Sequence, residues 1–113
     1  MKRKCIKSSY KRGHFAEWLK QMKKDRAKIY IGRRMVYQNM EQSKWHNPFS
    51  VKKYGIKKSL QLYKEHVLHN KELLDSLPEL NGKTLYCWCD EGSPCHADIL
   101  IELVKGGLRK INN

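Results

Sequence analysis

Apolar residues in this chain recur at two different spacings, and the alternation between them outlines a fold. Phe15, Trp18, Leu19 and Met22 repeat at helical spacing between Gly13 and Arg26, while Lys20, Lys23 and Lys24 lie off that stripe. This predicts an amphipathic helix. Lys28-Ile29-Tyr30-Ile31-Gly32 is β-branched and aromatic and reads as a strand. Ile56, Leu60, Tyr63 and Val67 define a second amphipathic helix from about Val51 to His69, and a short helix beginning at Asn70 stops before Pro78. Lys83 to Trp88 is a second apolar strand. Ser93 then reads as an N-cap with Pro94 at the first helical position, opening a helix through Ile99, Leu100, Leu103 and Val104 that Gly106-Gly107 ends.

Strand, crossover helix, strand and helix in that order describe a right-handed βαβ unit. The expected class is therefore α/β: a small, mainly parallel sheet with flanking helices. Met35 to Ser50 has no helical period and reads as a long loop. Trp45 and Phe49 would anchor it, and Asn47, held extended before Pro48, would present its amide.

Charge adds a division at the front of the chain. The 113 residues carry a formal charge of +13. Residues 1–34 hold 13 Lys or Arg against Glu17 and Asp25, and the remaining residues hold 11 basic and 9 acidic side chains. The length suits one domain. Residues 1–13, which lack periodicity, read as a flexible basic arm, and 14–113 as a single small α/β domain with a helix at its front. Polyanions are the natural partners of such an asymmetry, so Lys2, Arg3, Lys4, Lys7, Lys11 and Arg12 are the expected contacts to nucleic acid. A solvated, solubilising tail is the plainer alternative. No apolar run reaches membrane-spanning length, and the charged start is unlike a secretory signal. The expectation is an intracellular protein, in cytoplasm, nucleus or virion, with reduced thiols. Cys5, alone in the arm, reads as a surface thiol.

The chemistry concentrates between Cys87 and Asp98. A strand alternates its faces, so Cys87 and Cys89 share one side and Trp88 takes the other. Cys95 and His96 return from the start of the next helix toward that strand end. Three readings follow. Cys87, Cys89, Cys95 and His96 bind zinc as three thiolates and an imidazole. Alternatively, Cys95 is a nucleophile at an electropositive helix start that seats an anion. Third, the cysteines are small buried hydrophobes. In parallel sheets ligands bind beyond the carboxyl ends of the strands. Gly32-Arg33, the Trp45 loop and Cys89 to His96 all leave from that edge. An enzyme acting on a nucleotide or other phosphorylated substrate would use Arg33 for the anion, Asn47 for orientation, and Cys95 or Asp98 as nucleophile or acid–base group. A structural or virion-assembly module, stapled by the cluster, is the third class.

The sequence also resembles a family, domain of unknown function 4326. The resemblance rests on Tyr30-Ile31-Gly32-Arg33, Trp45-x-Asn47-Pro48-Phe49, Tyr63, Leu80-x-Gly82-Lys83-x-Leu85-x-Cys87-Trp88-Cys89 and Cys95-His96-Ala97-Asp98-x-Leu100. It covers Ile29 to Val104 and leaves Met1 to Lys28 outside. The family occurs in phages, bacteria and large DNA viruses. The resemblance implies a shared fold and a shared site at Arg33, Asn47, Cys87, Cys89, Cys95, His96 and Asp98, without implying a reaction.

Overall fold

The computed structural model describes residues 1–90 and 92–107. Residues 91 and 108–113 lie outside them. Three parallel strands form the sheet: β1 (Lys2–Cys5), β2 (Lys28–Tyr30) and β3 (Thr84–Cys87). The order is β1-β3-β2, so β3 is central, with Lys2 and Lys28 both opposite Thr84. The fold is α/β, as the alternation predicts. One residue beyond β2, Ile31 N–H donates to Tyr86 O at 3.0 Å and extends the ladder.

Two apolar clusters cover the two faces of β3. Leu85 and Cys87 join Ile31, Trp45, Tyr63, Val67, Leu80 and Leu100 on one side, with Cys89 packed against them. Tyr86 joins Ile6, Leu19, Met22 and Met40 on the other, with Trp88 packed there. The predicted alternation around Trp88 is therefore realised. The second face is covered by α1 (Phe15–Lys24), whose Trp18 meets Tyr86 edge-on at 5.4 Å between ring centroids. The first face is covered by α3 (Ile56–Leu68), α4 (Lys71–Ser76) and α5 (His96–Glu102).

Four local expectations need correction. The segment read as a flexible arm contains β1, held to β3 along its whole length. Lys2 and Lys4 are exposed on this edge strand, where charge discourages further strand pairing. Cys5, expected at the surface, is buried at the end of β1. The helix expected over Val51–His69 is two, α2 (Val51–Tyr54) and α3, because Gly55 adopts φ +78°, a left-handed conformation that interrupts the helix. Its inner face consequently carries Ser59, Tyr63 and Val67, while Ile56 is exposed. Finally, the last helix is capped by Cys95 rather than by Ser93.

Elsewhere the caps follow the sequence. Asn70 Oδ1 accepts from Leu73 N–H at 3.1 Å, and α4 passes into a 3₁₀ turn, Leu77–Leu80, containing Pro78. A π-helical turn, Leu103–Gly107, closes the described chain.

Candidate metal centre

Cys95 is where fold and chemistry coincide. As N-cap of α5 its Sγ accepts from Ala97 N–H at 3.5 Å, and Asp98 Oδ2 accepts from Cys95 N–H at 3.1 Å. This is a capping box with a thiol in the usual hydroxyl position. The same Sγ lies 3.5 Å from Cys87 Sγ and 3.6 Å from His96 Nδ1. The sulfurs of Cys87, Cys89 and Cys95 all lie within 4.8 Å of one another. A tetrahedral zinc with Zn–S near 2.3 Å and Zn–N near 2.0–2.1 Å has S···S edges of about 3.8 Å and S···N edges of about 3.6 Å. The Cys95–Cys87 and Cys95–His96 separations are close to those edges.

His96 lies outside the group of three sulfurs within 4.8 Å of one another but next to Cys95. Its Nε2 is 2.7 Å from Ile31 O, and a carbonyl only accepts, so Nε2 carries a proton. In the neutral ring Nδ1 then offers its lone pair on the Cys95 side. Ligating histidines are commonly held by such a bond from the second nitrogen to a carbonyl. The Tyr63 ring stands edge-on to the imidazole at 5.1 Å, and Tyr63 donates to Trp45 O at 2.7 Å. The end of β2, α3 and the start of α5 thus meet at one histidine, and Tyr63 links it to the loop through Trp45 O.

The three thiols are electrostatically coupled, and their shifts run in opposite directions. Hydrogen bonds with Cys87, Cys95 and then His96 hold the Cys89 thiol well below its ordinary value. Cys87, hydrogen-bonded to Cys89, is pushed up to about 11. Cys95 is raised by its bonds with Cys87 and Cys89 and by burial. A divalent cation held by these sulfurs would offset their mutual repulsion and let all three thiols ionise together. Cys87 and Cys95 are buried and Cys89 is half-buried, so the three sulfurs suit a closed structural site better than a solvent-open catalytic one.

The other predicted site residues are brought to different work. Asn47 donates to Ser59 Oγ at 2.8 Å and accepts from Phe49 N–H at 2.9 Å, so both ends of its amide staple the loop. Ser59 in turn donates to Phe49 O at 2.6 Å. Arg33 is exposed, and its carbonyl, not its guanidinium, is engaged, by Tyr30 Oη at 2.5 Å. Asp98 Oδ2, besides capping α5, pairs with Arg3 at 2.8 Å. Arg3, expected among the nucleic-acid contacts, is largely covered and also donates to Asp90 O at 2.8 Å, which ties β1 to the cysteine loop. Lys7 pairs with Asp90 at 3.0 Å. Lys2, Lys4, Lys11 and Arg12 are exposed.

Sequence reasoning missed Ser59 and Tyr63 as supports of the site. The signal was present in Tyr63, whose hydroxyl on an otherwise apolar stripe needs a buried acceptor.

A small parallel α/β domain carrying a cysteine cluster at the carboxyl edge of its sheet is thus defined by its geometry. The chain belongs to the family described as Domain of unknown function (DUF4326), whose model matches residues 16–106. The match reaches further forward than the resemblance that began at Ile29, and it takes in all of α1 but Phe15. An uncharacterized protein of Acanthamoeba polyphaga mimivirus is 38% identical over 87 residues, covering 68% of this chain and 66% of its own length. The chain therefore spans just under two thirds of that relative. No solved structure matches. No helix among the described residues is long and apolar enough to cross a membrane.

Proposed function

We propose that this is a zinc-stapled domain in which Cys87, Cys89, Cys95 and His96 are the ligands, and that its basic front binds nucleic acid. The observation that carries the metal reading is the gathering of the Cys87, Cys89 and Cys95 sulfurs within 4.8 Å of one another; His96 is added as a ligand because its Nδ1 lies 3.6 Å from Cys95 Sγ while its Nε2–H is committed to Ile31 O. The metal would join the end of the central strand to the start of α5, adding to the His96 bond to Ile31 O and the Arg3–Asp98 pair at that edge. Its role is structural. An enzymatic reading on a phosphorylated substrate has less support, because both ends of the Asn47 amide are engaged within its own loop.

Elemental analysis of protein purified without added metal tests the first half. About one zinc per chain is expected, and its absence overturns the reading. The nucleic-acid half is supported by exposed Lys2, Lys4, Lys11 and Arg12 and by Lys20, Lys23 and Lys24 on the outer face of α1. Fluorescence anisotropy across a salt series is the test, with affinity expected to fall steeply as salt rises. A binding curve indifferent to salt, or no binding, removes it. An intracellular, reducing setting goes with this proposal, since it keeps the thiols available to metal.

A further inference from the structure

Between β2 and the Trp45 loop the chain makes a small antiparallel turn that neither the metal centre nor the core explains. Met35 and Met40 bridge each other, with N–H···O distances of 2.9 and 3.0 Å in the two directions. Asn39 takes φ +53° and donates its N–H to Val36 O at 3.1 Å, closing the four-residue tip Val36-Tyr37-Gln38-Asn39. The base is rooted, because Met40 is buried in the second cluster and Met35 packs against it. The tip is the opposite. Tyr37 is 99% exposed and Val36 69%. A rigid turn that holds a whole aromatic ring in water has a face free on both sides.

The surroundings say what such a ring is for. Residues 20–40 hold Lys20, Lys23, Lys24, Arg26, Lys28, Arg33 and Arg34 against Asp25 alone, and Asp25 is taken by Lys28 at 3.7 Å. Arg33 and Arg34 lead directly into the bridge and are exposed. Lys23 Nζ reaches Asn39 O at 3.5 Å, which lays the basic face of α1 beside the turn. An exposed aromatic in a cationic field is the arrangement by which single strands are held: phosphates follow the charge and a base stacks on the ring. Duplex bases are already stacked and offer no free face.

We propose that Tyr37 is a base-stacking platform for single-stranded nucleic acid, with Arg33, Arg34 and the lysines of α1 holding the adjacent phosphates. This deepens the nucleic-acid half of the proposed function and rests on it. It moves the specific contact from the N-terminal segment to the turn.

The test uses the full chain and a labelled oligothymidylate of about 20 nucleotides, longer than the usual span of one small single-strand site. Tyr37→Ala is expected to weaken binding about 5- to 100-fold, the worth of one stacked base, and Tyr37→Phe to keep it within about 2-fold. The slope of log K against log salt should be unchanged in Tyr37→Ala. It should flatten by about 1.4 in the double variant Arg33→Ala/Arg34→Ala, at roughly 0.7 per phosphate contact on a single strand. Because the ring touches so little, Tyr37→Ala keeps the wild-type denaturation midpoint, which separates binding from folding. Wild-type binding with Tyr37→Ala unchanged overturns the stacking proposal and leaves the proposed function standing. An equal loss on duplex overturns the single-strand assignment. A loss seen only on vesicles containing anionic phospholipid assigns the turn to a membrane surface instead. Wild-type protein that binds no oligonucleotide removes both readings.

Discussion

Cys95 does two jobs that one substitution can separate. Cys95→Ser replaces a thiol by a hydroxyl that is itself a preferred N-cap, so Ala97 N–H keeps an acceptor and Asp98 still caps the Cys95-position N–H. In chelator the variant should therefore fall within about 1 kcal/mol of the wild type, the smaller side chain and the better cap working in opposite directions. Zinc changes the comparison. A metal that binds only the folded chain stabilises it by about 2.7 kcal/mol at 100 times its Kd and about 4.1 kcal/mol at 1,000 times. At roughly 4–8 °C per kcal/mol for a domain near this size, the wild type should gain roughly 10–30 °C in Tm on adding zinc. Cys95→Ser, left with two thiolates and an imidazole, should gain little of it. Denaturation of both proteins, each with chelator and with a slight excess of zinc, gives the four numbers needed. If the serine variant loses the same stability in both conditions, the thiol is only packing and cap, and the metal argument fails.

Thiol labelling of metal-free native protein should modify Cys89 first, since it is the half-buried cysteine and the one whose thiolate is favoured, and zinc should suppress the reaction. Labelling of Cys5 at a comparable rate would contradict its burial at the end of β1. Gly32→Ala should cost about 1–3 kcal/mol, because a Cβ there would meet Tyr30 Oη at 2.5 Å and displace the ring that accepts from Trp88 Nε1 at 2.9 Å. A midpoint shift equivalent to under about 0.5 kcal/mol would mean that the ring moves freely. Tyr63→Phe should lose about 0.5–1.5 kcal/mol at neutral pH with the bond to Trp45 O. Burial raises the Tyr63 hydroxyl well above its ordinary value of 10.0, so the unfolded chain ionises there first. The contribution is complete below pH 10 and declines above it by up to about 1.4 kcal/mol per pH unit. The decline should be shallower in Tyr63→Phe, and identical alkaline profiles would refute the assignment.

Strongly patterned segments were legible before any coordinates. Phe15, Trp18, Leu19 and Met22 predict α1 because one helical face must meet the sheet, and the Lys83–Trp88 alternation predicts which sulfurs share a side. β1 escaped because an edge strand turns Lys2 and Lys4 to water and Arg3 to Asp98, leaving only Cys5 and Ile6 as an apolar trace. Gly55 hid inside a convincing helical period, since periodicity counts apolar positions and is blind to a positive φ. Ser93 looked like the cap because serine is the commoner choice. The geometry prefers Cys95, whose sulfur must face the strand end. The gathering of Cys87, Cys89 and Cys95 was legible from the alternation of the strand and the helix start that follows it. The engagement of Asn47 was not, because its partner Ser59 sits twelve residues away on a helix face that Gly55 rotates into register.

The central position of β3 has a consequence for the order in which the molecule is made. β1 leaves the ribosome first, yet the strand it pairs with follows about eighty residues later, several seconds at ordinary elongation rates. Until then Cys5 and Ile6 have no sheet to enter, and a chain stalled before Thr84 can close neither edge. Completion of the nascent chain through β3 is therefore the event that commits both ends of the sheet at once.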